Sequence, residues 1–438
     1  MASRKSRVPT TRLGRLARMG FAAGEFAIEG LSESARRIGA PVPKDAVNAL
    51  LTGAGATKLA KRLAGMRGAA MKMGQMLSME GPSILPPEFA EALAILRDSA
   101  DTMPHKQLRG VMGREYGKGW EERFDSFDYE PIASASIGQV HRVQTRDGRD
   151  LALKIQYPGV ARSIDSDVDN MSMMLRLLNI LPVDLDVDEI VDEAKRQLRQ
   201  EADYEQEARF LRDYRGRVRD NPVLRVPKVH EDLTTRRILA MDFVEGEPLE
   251  VLGEEGFDQE TRDRVGRELE RLLFRELFEF RLMQTDPNFA NYLYQPQEGR
   301  IVLLDFGSTV NFESAFTERF RRITRALVED DYDAIWRHAE AIGYLQPGDS
   351  PAYCGRVIEL IRIICEPIRE DQVYDFASSD VAVRARDAGL QLAMKSGGEL
   401  RSPPPETVFL HRKLVGSFLL CSRIRARLNA QEILKEFL

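Results

Sequence analysis

Apolar and polar positions along this chain repeat with two different periods, and the change of period divides it. From Ala56 to Met79 the residues Leu59, Leu63, Met66, Ala70, Met73 and Leu77 recur at helical spacing, and Gly81-Pro82 ends the helix. A second helix is predicted over Glu88 to Asp98, with Phe89, Leu93 and Leu96 on one face. Gln139 to Val143 and Leu151 to Ile155 then alternate with period two around the turn Arg146-Asp147-Gly148-Arg149, which predicts a hairpin. Leu151, Leu153 and Ile155 share one face of its second strand and Lys154 takes the other. A long charged helical run is predicted within Pro182 to Arg217, and a strand entering a polar linker over Arg237 to Gly246. The apolar spacing of Val265, Leu269, Leu272, Leu273 and Leu277 predicts a helix over Arg262 to Phe280, and Arg300 to Leu304 reads as a strand. From about Glu313 onward the chain reads as helical, interrupted at Ser402-Pro403-Pro404-Pro405. The pattern predicts an α+β protein with an arm over residues 1–30, a helical extension over 31–118, a strand-rich domain over 119–243 and a mostly helical domain over 244–438.

Composition adds exclusions. At 438 residues the chain has the bulk for two or three domains. Its net charge of −6 argues against a general nucleic-acid binder. Cys354, Cys365 and Cys421 have no paired spacing, and the five His show no metal-ligand spacing. No run of about eighteen uncharged apolar residues occurs, so no membrane span is expected. The first 24 residues differ from the rest: Arg4, Lys5, Arg7, Arg12, Arg15 and Arg18 are interleaved with Leu13, Leu16, Met19 and Phe21, and the first acidic residue is Glu25. Such a segment suits an anionic membrane surface, a mitochondrial transit peptide or a loose basic tail.

Chemistry concentrates in Gln284-Thr285-Asp286-Pro287-Asn288-Phe289-Ala290-Asn291 and Leu304-Asp305-Phe306-Gly307. Phosphoryl transfer is mostly positioning and charge neutralisation, so it needs a carboxylate to orient the nucleophile and two oxygen ligands for metal. Asp286 is the orienting carboxylate in this reading, and Asn291 and Asp305 hold Mg²⁺. The strand lysine Lys154 reaches nucleotide phosphates, and a helix carboxylate must hold it: Glu201 is the choice, Glu207 the second candidate, because spacing alone does not select between them. The loop Ala133-Ser134-Ala135-Ser136-Ile137-Gly138 stands where a kinase carries Gly-x-Gly-x-x-Gly, with only Gly138 retained; Ala133, Ala135, Ser136 and Gly138 are candidate nucleotide contacts. Alanine there adds a Cβ where backbone should approach phosphate. Met241 and Phe243, at the end of the Arg237–Gly246 stretch, occupy the adenine-hinge position. After Gly307 only Ser308 to Phe312 precede the next helix, and no Ala-Pro-Glu occurs, so a platform for protein substrates is not expected.

These residues resemble the UbiB/AarF atypical kinases, also called the ADCK family, and within it the branch supporting coenzyme Q (ubiquinone) biosynthesis. The specific marks are Lys72-Met73-Gly74-Gln75, the Ala-rich loop running into Ile137-Gly138-Gln139-Val140-His141, and Gln284-Thr285-Asp286-Pro287-Asn288. The likeness extends from Val8-Pro9-Thr10-Thr11-Arg12 to His411-Arg412-Lys413-Leu414. It implies that Lys72 and Gln75, which from helical spacing alone read as a solvated face, point into the active site and gate it against peptides. Where many members have His at the first position of the Asp286 motif, this chain has Gln284, and the family's loop Ala-Ala-Ala-Ser reads Ala-Ser-Ala-Ser here. The implied fold is a bilobal protein-kinase-like one, with an N-lobe over 119–243 and a C-lobe over 244–438. The implied activity is Mg²⁺-dependent ATP hydrolysis or small-molecule phosphoryl transfer using ATP and ADP, supporting ubiquinone synthesis. The alternative is a non-catalytic nucleotide-sensing scaffold or lipid-extracting module. Expected partners are an anionic membrane, quinone-biosynthesis proteins or lipid-like quinone precursors, and a second copy in a homodimer. The expected location is the cytoplasmic face of a bacterial inner membrane, or the mitochondrion in a eukaryote.

Overall fold

The hairpin predicted around Arg146-Asp147-Gly148-Arg149 forms the middle of a larger antiparallel sheet. The computed structural model describes residues 102–438 apart from 136, 178–186, 287, 396–398 and 402. The basic arm, the Met-rich helix with Lys72 and Gln75, the helix predicted over Glu88 to Asp98, and Ser136 lie outside the described residues. The chain divides into two compact units: the residues up to Arg209 with Lys228–Phe243, and Phe210–Pro227 with Val244–Leu438.

The first six strands in chain order are β1 (Phe124–Phe127), β2 (Ala133–Ser134), β3 (Gly138–Thr145), β4 (Asp150–Gln156), β5 (Leu224–Arg225) and β6 (Ile238–Asp242). All but β5 build the sheet of the first unit, ordered β1-β3-β4-β6 with β2 also on β3. Leu151, Leu153 and Ile155 are fully buried on one face of β4, as period-two alternation requires. Truncating one of them to Ala would cost about 2–5 kcal/mol. Lys154 and Gln156 take the other face, which is also covered: the Gln156 amide donates to the Ala202 carbonyl at 2.9 Å. Gln139 and His141 of β3 tie in the backbone at Met103 and Asp128. The Met103 amide donates to Gln139 Oε1 at 2.8 Å, Gln139 Nε2 to His141 Nε2 at 2.6 Å, and His141 Nδ1 to the Asp128 carbonyl at 2.7 Å. Burial lowers the His141 pKa, which suits an imidazole that both donates and accepts.

The helices here are α1 (His105–Glu115), α2 (Val160–Leu177), α3 (Val187–Glu201) and α4 (Tyr204–Arg217). The sequence reading anticipated one long helix; α2 is additional, and its buried Val160, Ile164 and Val168 recur every four residues. The run read as continuous within Pro182 to Arg217 is two helices. Asp203 restarts the chain: its Oδ1 accepts from the Gln206 amide at 3.1 Å, as an N-cap does. Residues 210–227, placed with the strand-rich domain by sequence, cluster with the second unit because Tyr214 packs there against Phe280 and Phe306.

The second unit continues with β7 (Glu247–Pro248), α5 (Gln259–Phe274), a π turn over Arg275–Phe280, β8 (Leu282–Gln284), β9 (Tyr292–Gln295), β10 (Arg300–Leu303) and β11 (Thr309–Asn311). Then come α6 (Ser314–Val328), α7 (Tyr332–Ile342), α8 (Pro351–Ile364), α9 (Glu366–Arg369), β12 (Tyr374–Asp375), α10 (Val381–Lys395), α11 (Pro405–Arg423), β13 (Arg427–Leu428) and α12 (Ala430–Lys435). The helix predicted over Arg262 to Phe280 is α5 and its π turn, started by Asp258, whose carboxylate accepts from the Thr261 amide at 2.8 Å. Gly266 lets the chain after α11 lie on α5: a Cβ there would sit 2.5 Å from Ala426 Cβ. The strands order β5-β10-β9-β7, with β8 paired to β11 and β12 to β13.

Candidate functional site

Each unit carries its own share of the residues singled out from sequence. In the first unit Lys154 Nζ lies 2.7 Å from Glu207 Oε1 and 5.3 Å from the centre of the Tyr204 ring. The lysine's carboxylate among the described residues is therefore Glu207, and the choice of Glu201 is corrected. Glu201 ends α3, whereas Glu207 stands one turn into α4, and the restart at Asp203 changes which carboxylate faces β4.

In the Ala-rich loop the Ala135 amide donates to the Gly138 carbonyl at 2.9 Å. Ala133 is exposed on β2 and Ala135 half-buried. Gly138 has another reason to be glycine besides access for phosphate. A Cβ there would meet the Ile155 carbonyl oxygen at 2.6 Å and Tyr204 Oη at 2.7 Å, so the position needs space and does not require positive φ. Met241 lies buried on β6, paired with Ala152. The Phe243 amide donates to the Asp150 carbonyl at 3.0 Å, and Arg142 covers its ring at 4.0 Å. A contact from Phe243 to adenine would thus come from its carbonyl, because the sheet already uses its N–H.

In the second unit Asp286, Asn291 and Asp305 come together because β8 and β11 pair on either side of them. Gln284 faces Thr309, and the Thr285 amide donates to the Ser308 carbonyl at 2.8 Å. The Leu304 amide donates to the Asn291 carbonyl at 3.0 Å, which ties the two motifs directly. Asn291 Nδ2 donates to the Asp286 carbonyl at 3.1 Å, and the Gly307 amide to Asp305 Oδ1 at 2.9 Å. Asn291 and Asp305 line one crevice of about 10 Å³, with Tyr214, Glu276, Gln284 and Lys413 among its walls. With Nδ2 engaged, Asn291 presents its amide oxygen, and with the Asp305 carboxylate this makes a hard-oxygen donor set that suits Mg²⁺. The anticipated gap after Gly307 is filled only by β11 before α6 begins at Ser314.

Three contributors were not singled out from sequence. Lys413 of α11 and Glu276 of the π turn form a buried pair at 2.7 Å, and Arg412 lies 3.9 Å from Asp286 Oδ1. Each reads in sequence as a charged residue on a helix, and the local signal is the run His411-Arg412-Lys413 set between the apolar stretches Val408-Phe409-Leu410 and Leu414-Val415. Burial works against the Lys413 ammonium, but Glu276 and Tyr292 outweigh it and raise its pKa. Burial likewise raises the Tyr214 and Tyr292 phenols, keeping both protonated as donors.

The fold is that of a protein-kinase-like protein, and among the described residues only β11 stands between Gly307 and α6, where conventional kinases carry a protein-substrate platform. The ABC1 atypical kinase-like domain family matches residues 95–339, more than half of the chain. The chain is 36% identical over 436 residues to the rat (Rattus norvegicus) atypical kinase COQ8B, mitochondrial, covering 99% of this chain and 82% of that protein. It is also 36% identical to the mitochondrial atypical kinase COQ8 of Saccharomyces cerevisiae, covering 99% of this chain and 86% of the yeast protein. Among solved structures it is similar to Rv3197 of Mycobacterium tuberculosis in complex with erythromycin, with TM-score 0.62, 29% identity, and coverage of 90% of this chain and 98% of the other. The chain belongs to the ABC1 atypical kinase-like family, the UbiB group that includes the COQ8 proteins. A kinase-like domain implies adenine-nucleotide binding. Among the described residues no helix is long and apolar enough to cross a membrane.

Proposed function

We propose that this chain is a Mg²⁺-dependent atypical kinase or ATPase that supports ubiquinone biosynthesis at a membrane surface. The observation that carries the reading is that Asn291 and Asp305 line one crevice while Asn291 Nδ2 donates to the Asp286 carbonyl and the Asn291 carbonyl accepts from the Leu304 amide. Asn291 and Asp305 would hold Mg²⁺, which when bound supplies neutralisation of phosphate charge. Asp286 orients the nucleophile, a water or a small-molecule hydroxyl, and Arg412 beside it is a further positive charge for phosphate. Lys154, held by Glu207, contacts the nucleotide phosphates under the Ala133–Gly138 turn, and the Met241–Phe243 segment serves adenine.

The short connection from Gly307 to α6 supports a small acceptor over a protein one. Lys72 and Gln75 of the 31–118 extension gate the site in this reading, and the basic arm within 1–30 brings the chain to anionic lipid. The similarity to the COQ8 proteins supports a role in coenzyme Q synthesis, and the partners in this reading are quinone-biosynthesis proteins or lipid-like precursors.

The test is ATP turnover by the full chain with and without Mg²⁺, anionic vesicles and phenols that mimic quinone precursors. Mg²⁺-dependent turnover raised by vesicles or phenols is expected. Nucleotide binding with no turnover under any of these conditions would favour the scaffold reading, and no nucleotide binding would remove both.

A further inference from the structure

The Asp286 carbonyl receives two side-chain amide donors. Asn291 Nδ2 lies at 3.1 Å and Gln284 Nε2 at 2.6 Å. A glutamine amide can turn over, exchanging its donor and acceptor ends at little cost, and in the turned state its oxygen would face the Asp286 carbonyl oxygen. Gln284 is buried, and what faces its Oε1 decides the orientation. Tyr292 Oη donates to that oxygen at 3.2 Å, but a hydroxyl could accept from a turned amide equally well. Lys413 Nζ stands 3.5 Å from the same oxygen, and an ammonium only donates. It therefore tolerates the amide oxygen and excludes the NH₂ end.

Lys413 is kept in place and charged by Glu276, whose Oε2 lies 2.7 Å away. Glu276 Oε1 in turn accepts from Tyr214 Oη at 2.8 Å and from the Gln284 amide at 2.9 Å, so it holds Gln284 from the backbone side. Lys413 and Glu276 are 5% and 0% exposed, so water does not screen this arrangement. A π turn at Arg275–Phe280 brings the carboxylate to this spot immediately before β8.

We propose that Lys413, paired with Glu276, is a positioning residue for Asp286: its ammonium fixes the Gln284 amide so that the NH₂ end holds the Asp286 carbonyl. The proposal rests on the reading of Asp286 as the residue that orients the nucleophile. It concerns orientation alone, since Lys413 contacts Asp286 only through Gln284 in this chain of hydrogen bonds. Arginine at 413 would keep the donor-only character, and methionine would remove it while keeping an unbranched buried chain.

The test uses the full-length chain with Lys413→Arg, Lys413→Met, and Lys413→Met combined with Glu276→Gln. The double variant guards against a folding defect, because it leaves no unpaired buried charge while its residue 276 can still accept from Tyr214 and the Gln284 amide. Two readouts are taken: Mg·ATP turnover, split into kcat and KM, and amide hydrogen exchange across Gln284–Asn291. Expected is a loss of roughly tenfold or more in kcat with KM for ATP within about twofold in both methionine variants, faster exchange in that segment, and near-parental behaviour of Lys413→Arg. A double variant with parental kcat and parental exchange would make the pair a packing feature only and overturn the proposal, as would a rise in KM with kcat unchanged. If the parent chain turns over no ATP, the proposed function fails on that result, and the exchange rate in the double variant still decides whether Lys413 orders the Asp286 segment.

Discussion

Lys154 Nζ lies 2.7 Å from Glu207 Oε1, with the two side chains 5% and 0% exposed. The pair joins the centre of the β-sheet to the first turns of α4, and Tyr204 closes it from one side with its ring. A buried ion pair gives little net stability over an apolar pair, yet removing one partner strands the other charge. Glu207→Gln is therefore expected to destabilise the chain by about 3–5 kcal/mol and to weaken nucleotide binding. Urea denaturation of Glu207→Gln, Lys154→Met and the double variant gives the coupling directly. Simple additivity in that cycle would contradict the pairing.

Asp305→Asn tests the metal-holding role separately from the fold. The variant amide oxygen can still accept from the Gly307 amide, so the turn after β10 is expected to survive. What is lost is one preorganised negative charge, and turnover should fall by roughly 10²–10³-fold. Circular dichroism should match the parent. Unchanged Mg²⁺-dependent turnover would remove Asp305 from the metal site.

What the sequence made legible in the second unit is which candidate residues lie near one another, because that proximity is local. Asp286 and Asn291 share one short segment, and Asp305 follows the strand paired with the next one, so spacing and hydrophobic pattern sufficed. The lysine's partner was less legible, because a carboxylate-rich run reads as one helix unless the Asp203-x-x-Gln206 capping signal is noticed, and that break decides between Glu201 and Glu207. α2 was legible in Val160, Ile164 and Val168 but sat beside a strand-rich pattern that drew the reading elsewhere. The pairing of Glu276 with Lys413 was not legible: it depends on where α11 packs against α5 and its π turn, and neither helix announces its partner.

Ala135 and Gly138 should respond to substitution for different reasons, the first through backbone freedom and the second through a clash. Ala135→Gly frees the half-buried turn residue at a cost of roughly 0.5–1 kcal/mol and lets the backbone approach phosphate more closely. A shift of selectivity toward ATP over ADP is expected, measured by competition against a fluorescent nucleotide. Gly138→Ala instead drives a Cβ to 2.6 Å from the Ile155 carbonyl and 2.7 Å from Tyr204 Oη, so β3 and β4 must part locally and the Tyr204 side chain must shift. That variant should lose about 1–3 kcal/mol of stability. Parental ATP and ADP affinities in Ala135→Gly would mean that this turn does not cover the phosphates.

Acid should weaken the second unit through His411. The imidazole stacks on the Tyr344 ring with centroids 5.6 Å apart, and its Nε2 lies 2.6 Å from Tyr344 Oη. Burial lowers its pKa from 6.5 to about 4, so the folded chain carries it neutral while the unfolded chain protonates near the ordinary value. Between those two values the unfolded state binds more protons, so stability rises with pH across the window and is lost as pH falls from about 6.5 toward 4. The full shift corresponds to at most roughly 3 kcal/mol. His141 titrates in the same direction in the first unit, and the buried Glu270, whose pKa is raised by burial, in the opposite one, so the parent's pH profile alone does not isolate His411. The difference between parent and His411→Gln does. Urea midpoints at pH 7, 6, 5 and 4.5 should converge as pH falls, with the variant less stable at pH 7 because it loses the stacked ring and flatter toward acid because it has no imidazole to protonate. Parallel profiles for the two proteins would show that His411 stays protonated or neutral alike in both states, and the acid sensitivity of this unit would then lie elsewhere.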